Sequence, residues 1–163
     1  MGRNNLLALF GQILLSLLLF GILAISKSHP AWQSQILHGG GRFLLVAFIF
    51  FYYWLLTKLL GVSTWWMSLF STIALPLLGG CFLAISYLAE GPGVFSQGVG
   101  ASLWRFPYDV LMLPESLVLG LFRQGMSLRT LVLMPLAPWL FLTLGTGIVH
   151  LRRIRRARRR RRQ

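Results

Sequence analysis

Acidic side chains are almost missing from this chain of 163 residues, which has only three of them: Glu90, Asp109 and Glu115. Charged residues of both signs make up 12% of the sequence, against roughly 25% in soluble domains, whereas hydrophobic residues make up 56%. Such a low charge content excludes an ordinary soluble domain. The composition instead predicts an integral membrane protein in which spanning helices account for most of the chain.

The shortage of acids also restricts catalysis. A general acid and a general base need two carboxyl groups brought together, and nothing in the spacing of the three acids indicates such a pair. The sequence contains no HExxH motif, no GxSxG motif and no phosphate-binding glycine loop. We therefore predict a protein that is not an enzyme and carries no cofactor. An enzyme would need the acids or the histidines to converge on one pocket.

Cysteine and histidine are scarce as well. The single cysteine, Cys81, falls near the middle of an apolar segment, where a packing role is favoured over nucleophilic catalysis. His29 and His38 share one predicted loop but no acid or cysteine accompanies them, and His150 precedes a basic tail. No metal site is predicted from these residues.

Long apolar runs are plentiful, and four of them are candidate membrane spans. They cover residues 6–25, 43–61, 65–89 and 130–151. The first run would extend about 30 Å as a helix, which matches the hydrocarbon thickness of a bilayer. A cleaved secretory signal is its competing interpretation, because Arg3 precedes the run and Ala24-Ile25-Ser26 resembles a cleavage site. The length of the run favours an uncleaved anchor.

The other runs carry signals for their packing. Only Val62-Ser63-Thr64 separates the second run from the third, which predicts an antiparallel helical hairpin with Trp65 and Trp66 as interfacial anchors. Pro135 and Pro138 lie in the first half of the fourth run and predict a kink there.

The segment between the third and fourth spans, residues 90–129, is the least regular. Its apolar stretch, residues 110–122, is too short to span and is interrupted by Pro114 and Glu115. We expect a short helix near residues 114–124 that lies at the interface or re-enters the membrane. Its three acids are expected to act as caps or as solvated partners of Arg105 and Arg123. The residues predicted to form an external contact surface are Trp104, Arg105, Tyr108, Asp109 and Glu115.

The predicted fold is an all-helical bundle of four transmembrane helices, residues 1–151, followed by an arginine-rich tail, residues 152–163. By the positive-inside rule the tail lies in the cytoplasm, so an even number of spans places the N-terminus there too. If residues 110–124 also spanned, the N-terminus would move outside. The basic residues of the tail are Arg152, Arg153, Arg155, Arg156, Arg158, Arg159, Arg160, Arg161 and Arg162.

Three ligands are considered for the tail. Anionic lipid headgroups are the first, an acidic protein partner is the second, and nucleic acid is the least favoured. No aromatic residue is interleaved among the arginines, so base stacking has no support.

Small residues recur every four positions along the third span. This stripe consists of Ser68, Thr72, Pro76, Gly80 and Ala84. Small residues let membrane helices approach closely, either within one bundle or between subunits, and internal packing is the favoured interpretation. Gln12, the only amide within a span, predicts an interhelical hydrogen bond rather than part of a transport path.

These features together predict a non-catalytic subunit of a larger assembly in the bacterial inner membrane, such as a secretion or conjugation machine. Other membrane subunits are the expected partners, and homo-oligomers are an open alternative. The chain also resembles small holin-like pore proteins in its few spans and charged tail, although its long external segment departs from that pattern. An ion-coupled transporter is disfavoured because no span carries an ionisable residue near the midplane.

Overall fold

A computed structural model describes residues 2–37, 39–61, 65–95, 102–122 and 127–160. Every regular element in these ranges is helical. Four stretches are long and apolar enough to cross a membrane: Gly2–Lys27, Gly41–Leu59, Trp66–Phe95 and Leu128–Arg155. The predicted all-helical, multi-pass architecture is therefore confirmed.

The first two spans run antiparallel. α1 covers Gly2–Lys27, the short α2 covers Pro30–Leu37, and α3 covers Gly41–Leu59. The side-chain amide of Asn4 donates to the carbonyl of Gly61 at 2.6 Å, which places the start of α1 beside the end of α3. The connection at residues 62–64, predicted to form a hairpin turn, lies outside the described residues.

The third span is divided, whereas the sequence predicts one continuous helix. α4 covers Trp65–Phe70 and α5 covers Ala74–Glu90, with a turn between them. Pro76 explains the interruption, because it has no N–H and its ring crowds the carbonyl four residues earlier, that of Thr72.

Polar side chains from other helices bind the backbone around this break. The Asn5 amide nitrogen donates to the carbonyl of Phe70 at 3.2 Å, and its oxygen accepts from the backbone N–H of Ala74 at 3.2 Å. The indole N–H of Trp139 donates to the carbonyl of Leu69 at 3.0 Å. Backbone groups that the break leaves without helical partners are thus satisfied within the bundle.

Two short helices lie between the third and fourth spans. A 3-10 turn, Gly91–Phe95, follows α5, and the chain then forms α6, Phe106–Leu111, and α7, Leu113–Leu121. α6 packs against α1 and α5, and α7 packs against α1 and α3. α7 overlaps the segment near 114–124 for which the sequence predicts a helix; residues 123 and 124 lie outside the described residues.

The fourth span is kinked, as its prolines predict. α8 covers Leu128–Leu133 and α9 covers Leu136–Arg160, with a turn at Met134 and Pro135. Pro138 lies in the first turn of α9, where the missing N–H has no intrahelical partner to lose. α8 starts at a capping box in which Ser127 and Thr130 each bond the other's backbone N–H.

The interior of the bundle is unusually rich in small polar groups. The hydroxyl oxygens of Thr72 and Thr143 lie 3.4 Å apart between α4–α5 and α9. Leucines such as Leu15 and Leu19 are buried beside these groups, but many large apolar side chains point outward, with Phe10 exposed by 68% and Leu88 by 82%. An outward apolar face with hydrogen-bonded groups inside is the arrangement expected of helices surrounded by lipid.

Candidate functional site

A polar cluster lies inside the bundle where α1, α3 and α7 meet. Gln12 belongs to the inward stripe of α1, between the buried Ala8 and Leu15, and its side chain is fully buried. Tyr53 of α3 is only 4% exposed. Glu115 comes from the first turn of α7. The three side chains form one connected hydrogen-bonded group.

Short hydrogen bonds connect the three side chains. The Tyr53 hydroxyl oxygen lies 2.5 Å from Oε1 of Glu115 and 2.7 Å from Oε1 of Gln12. Nε2 of Gln12 donates to the carbonyl of Leu111 at 2.8 Å and to Oε2 of Glu115 at 3.2 Å. Because a carbonyl accepts from Nε2, the orientation of the Gln12 amide is determined.

The cluster lies well within the length of the spans. Gln12 is ten residues after the start of α1 at Gly2 and fifteen before its end at Lys27. At 1.5 Å per residue these separations are about 15 and 22 Å. A carboxyl group at this level is far from both ends of α1.

A cavity of about 340 Å³ opens beside Glu115. Its lining is almost entirely apolar and comes from α3, α7 and the kinked fourth span, so the turn at Met134 and Pro135 helps to create the space. Aromatic rings form part of the wall: the centroid of Phe141 lies 5.5 Å from that of Phe50 and 5.8 Å from that of Tyr53. Among the described residues that line the cavity, Glu115 is the only acidic or basic one.

Desolvation dominates the electrostatics of Glu115. Burial raises the pKa of its carboxyl from 4.5 to about 7, although the hydrogen bonds with Tyr53 and Gln12 act in the opposite direction. Among the described residues, no basic side chain forms an ion pair with Glu115. The site therefore accommodates a proton near neutral pH.

A second buried polar group fixes α6 in place. Nε of Arg105 donates to the two carboxylate oxygens of Asp109 at 3.0 and 3.2 Å, and its Nη1 donates to the carbonyl of Val94. Both side chains are buried, with Arg105 at 0% and Asp109 at 3% exposure. The Tyr108 hydroxyl donates to the carbonyl of Leu131 in α8. These contacts anchor α6 to the 3-10 turn Gly91–Phe95 and to α8, and they give the buried pair a structural role.

The predicted external contact surface is therefore largely buried. Trp104 is 55% exposed, but Arg105, Tyr108 and Asp109 lie in the interior and Glu115 lines the cavity. Asp109 does pair with Arg105, but the expectation that this pair is solvated is wrong, because both side chains are buried. Glu115 is likewise bonded within the bundle. Arg123, the other proposed partner, lies outside the described residues.

The small stripe is divided between two environments. Ser68 and Thr72 are fully buried, as internal packing predicts. Pro76, Gly80 and Ala84 instead line a groove of about 360 Å³ between α5 and the kinked fourth span. A Cβ atom added at Gly80 would meet nothing within 4 Å.

The remaining predicted residues lie away from the cavity. Cys81 is an exposed free thiol on α5, and the His29 ring lies 5.2 Å from that of Trp32; His38 lies outside the described residues. In the part of the chain that the structure describes, no three His, Cys, Asp or Glu residues could hold a metal ion.

α9 continues into the tail as far as Arg160. Its exposed arginines are Arg152, Arg153 and Arg155.

Sequence reasoning missed Tyr53 and misplaced Glu115. Tyr53 was one aromatic residue in a crowded run, and its hydroxyl has no sequence signal of its own. Two signals did exist: an isolated amide in a span, Gln12, requires a partner, and Glu115 interrupts an apolar stretch. The predicted interhelical bond of Gln12 is confirmed.

Comparisons of this chain with protein-family models, curated proteins and solved structures find no match.

Proposed function

We propose that this protein is a non-catalytic, multi-pass subunit of a larger assembly in the bacterial inner membrane. The observation that carries the proposal is the outward half of the small stripe, where Gly80 has open space above it. The inward half already packs on α9 through Thr72 and Thr143. The remaining small face is suited to a transmembrane helix of a partner subunit.

The shape of the groove supports this choice of partner. Its lining combines the small Gly80 and Ala84 with the larger side chains of Tyr87, Leu128 and Val132. In lipid, helices associate through close packing at small residues rather than through the hydrophobic effect. A helix that carries its own small residues would pack closely against Gly80 and Ala84.

A self-assembling pore has less support from the same surface. A pore formed by several copies needs a polar face toward its lumen. Here the hydroxyl-bearing residues of the spans, such as Thr57 and Thr146, point into the single bundle, whereas outward positions are mainly large and apolar. The arrangement therefore favours a subunit over a pore.

Replacing Gly80 with leucine should remove the partner while leaving the bundle folded. Purification from the native cells in mild detergent, followed by mass spectrometry, should recover a membrane protein in fixed ratio with the unaltered chain. Gly80→Leu should reduce that ratio at least about tenfold, because the side chain would fill the groove.

Gly21→Leu is the matched control, since a Cβ at Gly21 also meets nothing within 4 Å but lies on α1, away from the groove. Equal recovery from both variants, or recovery of this chain alone, would reject the groove as the subunit contact.

The proposed orientation places both termini in the cytoplasm and the α6–α7 segment in a re-entrant hairpin entered from the outside. The arginines beyond Leu151 resist translocation, which supports the cytoplasmic C-terminus. Re-entry is supported by the bond from Gln12 to the carbonyl of Leu111, the last residue of α6, because Gln12 lies near the middle of α1.

Cysteine labelling should reveal this arrangement. In a Cys81→Ser background, single cysteines at Leu103 and Leu128 flank the α6–α7 segment at exposed positions. An impermeant maleimide added to spheroplasts should label both, whereas a cysteine at Gln163 should react only after the membrane is opened. Labelling of just one flanking position would mean that the segment crosses the membrane and would reject re-entry.

A further inference from the structure

The two short contacts of the Tyr53 oxygen need two hydrogen atoms, but with Glu115 ionised the cluster supplies only one, that of the Tyr53 hydroxyl. The Tyr53 oxygen makes short contacts with both Glu115 Oε1 and Gln12 Oε1, at 2.5 and 2.7 Å. Tyr53 has one hydroxyl hydrogen, and the Gln12 oxygen has none. The second contact is satisfied when a protonated Glu115 donates to Tyr53, which then donates to Gln12.

This geometry therefore fits the neutral, protonated form of Glu115. The ionised form lacks a compensating positive charge. A carboxylate in this apolar surrounding is costly unless a positive charge comes close. Among the described residues no basic side chain pairs with it. The compensating charge must be either a bound proton or a cation that enters the cavity.

The cavity is shaped for one kind of cation. Ligand cavities with mostly apolar walls and a single polar group select molecules with an apolar body and one matching head group. The rings of Phe50, Tyr53 and Phe141 add aromatic walls close to the carboxyl, and such rings attract ammonium groups through cation–π contacts. A hydrated metal ion would find too few oxygen ligands along these walls.

We propose that the Glu115 cavity is an exchange site in which a proton and a small hydrophobic ammonium ion compete for the same carboxyl group. Binding of the ammonium ion displaces the Glu115 proton to the aqueous phase, and the carboxylate then pairs with the bound cation. No covalent bond other than the O–H bond changes. This inference goes beyond the proposed subunit role and does not depend on the groove at Gly80.

Few other titratable groups face Glu115. Tyr53 and Tyr52 come from α3, where the Tyr52 hydroxyl donates to the carbonyl of Gly11. α6 contributes Tyr108, which also lies near the paired Arg105 and Asp109. α1 contributes the neutral Gln12, and the cavity-lining residues of α8 and α9 are not titratable. Glu115 is accordingly the group that exchanges its proton near neutral pH.

Benzyltrimethylammonium is a suitable probe, because its charge does not change with pH and its neutral isostere, neopentylbenzene, has nearly the same shape. The full-length protein in lipid nanodiscs should bind the cation but not the isostere in calorimetric titrations. Affinity should fall at least about tenfold from pH 8.5 to pH 5.5, because protonation of Glu115, whose pKa burial raises to about 7, competes with the cation. In weakly buffered solution near pH 6.5, where about three quarters of the Glu115 carboxyls are protonated, binding should release about that fraction of a proton per site.

Glu115→Gln tests the carboxyl directly. The amide can donate to Tyr53 in place of the acid proton, so this variant should stay folded in the neutral arrangement while losing cation binding at least about tenfold. Glu90→Gln makes the same chemical change outside the cavity, at an exposed carboxyl that accepts from Ser102, and should bind like the unaltered chain.

Equal affinity for the cation and the isostere, or pH-independent binding with no released proton, would overturn the exchange site. So would undiminished binding by Glu115→Gln. The proton release is measured on the unaltered chain, so the proposal stays testable even if that variant does not fold. If Gly80→Leu loses the partner subunit but still binds the ammonium ion with release of a proton, the exchange site is independent of the proposed subunit role.

Discussion

Asp109→Ala is expected to reduce the free energy of unfolding by about 3–5 kcal/mol, the range found when one member of a buried ion pair is removed. Arg105 would then keep its charge at 0% exposure without the carboxylate that lies 3.0 Å from its Nε. The measurement is unfolding in mixed micelles with increasing dodecyl sulfate, followed by far-ultraviolet circular dichroism.

A double variant separates the pair from general damage to α6. Arg105→Met with Asp109→Leu removes both charges and keeps apolar volume, so it should be more stable than Asp109→Ala alone. Glu90→Ala removes an exposed carboxyl that accepts from Ser102, and it should cost much less. If the double variant loses as much stability as the single variants Arg105→Met and Asp109→Leu lose in sum, the ion pair is not the source of the loss.

Gly145→Ala is expected to cost about 1–3 kcal/mol, as overpacking of a well-filled interior does. A Cβ at this position would lie 2.4 Å from Cγ2 and 3.0 Å from Cβ of Thr57. Thr57 cannot move its side chain easily, because it is β-branched and its hydroxyl donates to the carbonyl of Trp54 at 2.7 Å. α3 and α9 would have to separate. The same micelle unfolding assay measures the loss.

Two companion variants test this explanation. Thr57→Ser removes the nearest methyl group, so the double variant Gly145→Ala with Thr57→Ser should recover part of the lost stability. Gly21→Ala places a methyl group where nothing lies within 4 Å and should be close to neutral or slightly stabilising. If Gly21→Ala were as harmful as Gly145→Ala, close contact with Thr57 would not be the cause.

The spans could be predicted from the sequence because each depends on local composition. Twenty or so apolar residues satisfy the bilayer whatever they pack against, so the four spanning stretches lie close to their predicted positions. Proline acts locally too, and Pro135 interrupts the fourth span as expected. Pro76 acted by the same rule on the third span, but its break was not foreseen because Pro76 was interpreted only as one member of the small stripe.

The candidate site could not be predicted in the same way. Gln12, Tyr53 and Glu115 come from three separate parts of the chain, and only the packing of α1, α3 and α7 brings them within hydrogen-bond distance. The sequence showed one isolated amide and one acid in an apolar stretch. It contained no information on the distance between them, because contacts between distant segments depend on how the helices pack.

The sequence by itself determined the four long apolar stretches and the helical character of the described residues, because a backbone in lipid must satisfy its own hydrogen bonds and a helix does so within one segment. Only the tertiary structure decided that Arg105 and Asp109 are enclosed and that Glu115 lines a cavity inside the bundle. Burial of charge depends on which partners stand close by, and those partners come from other helices.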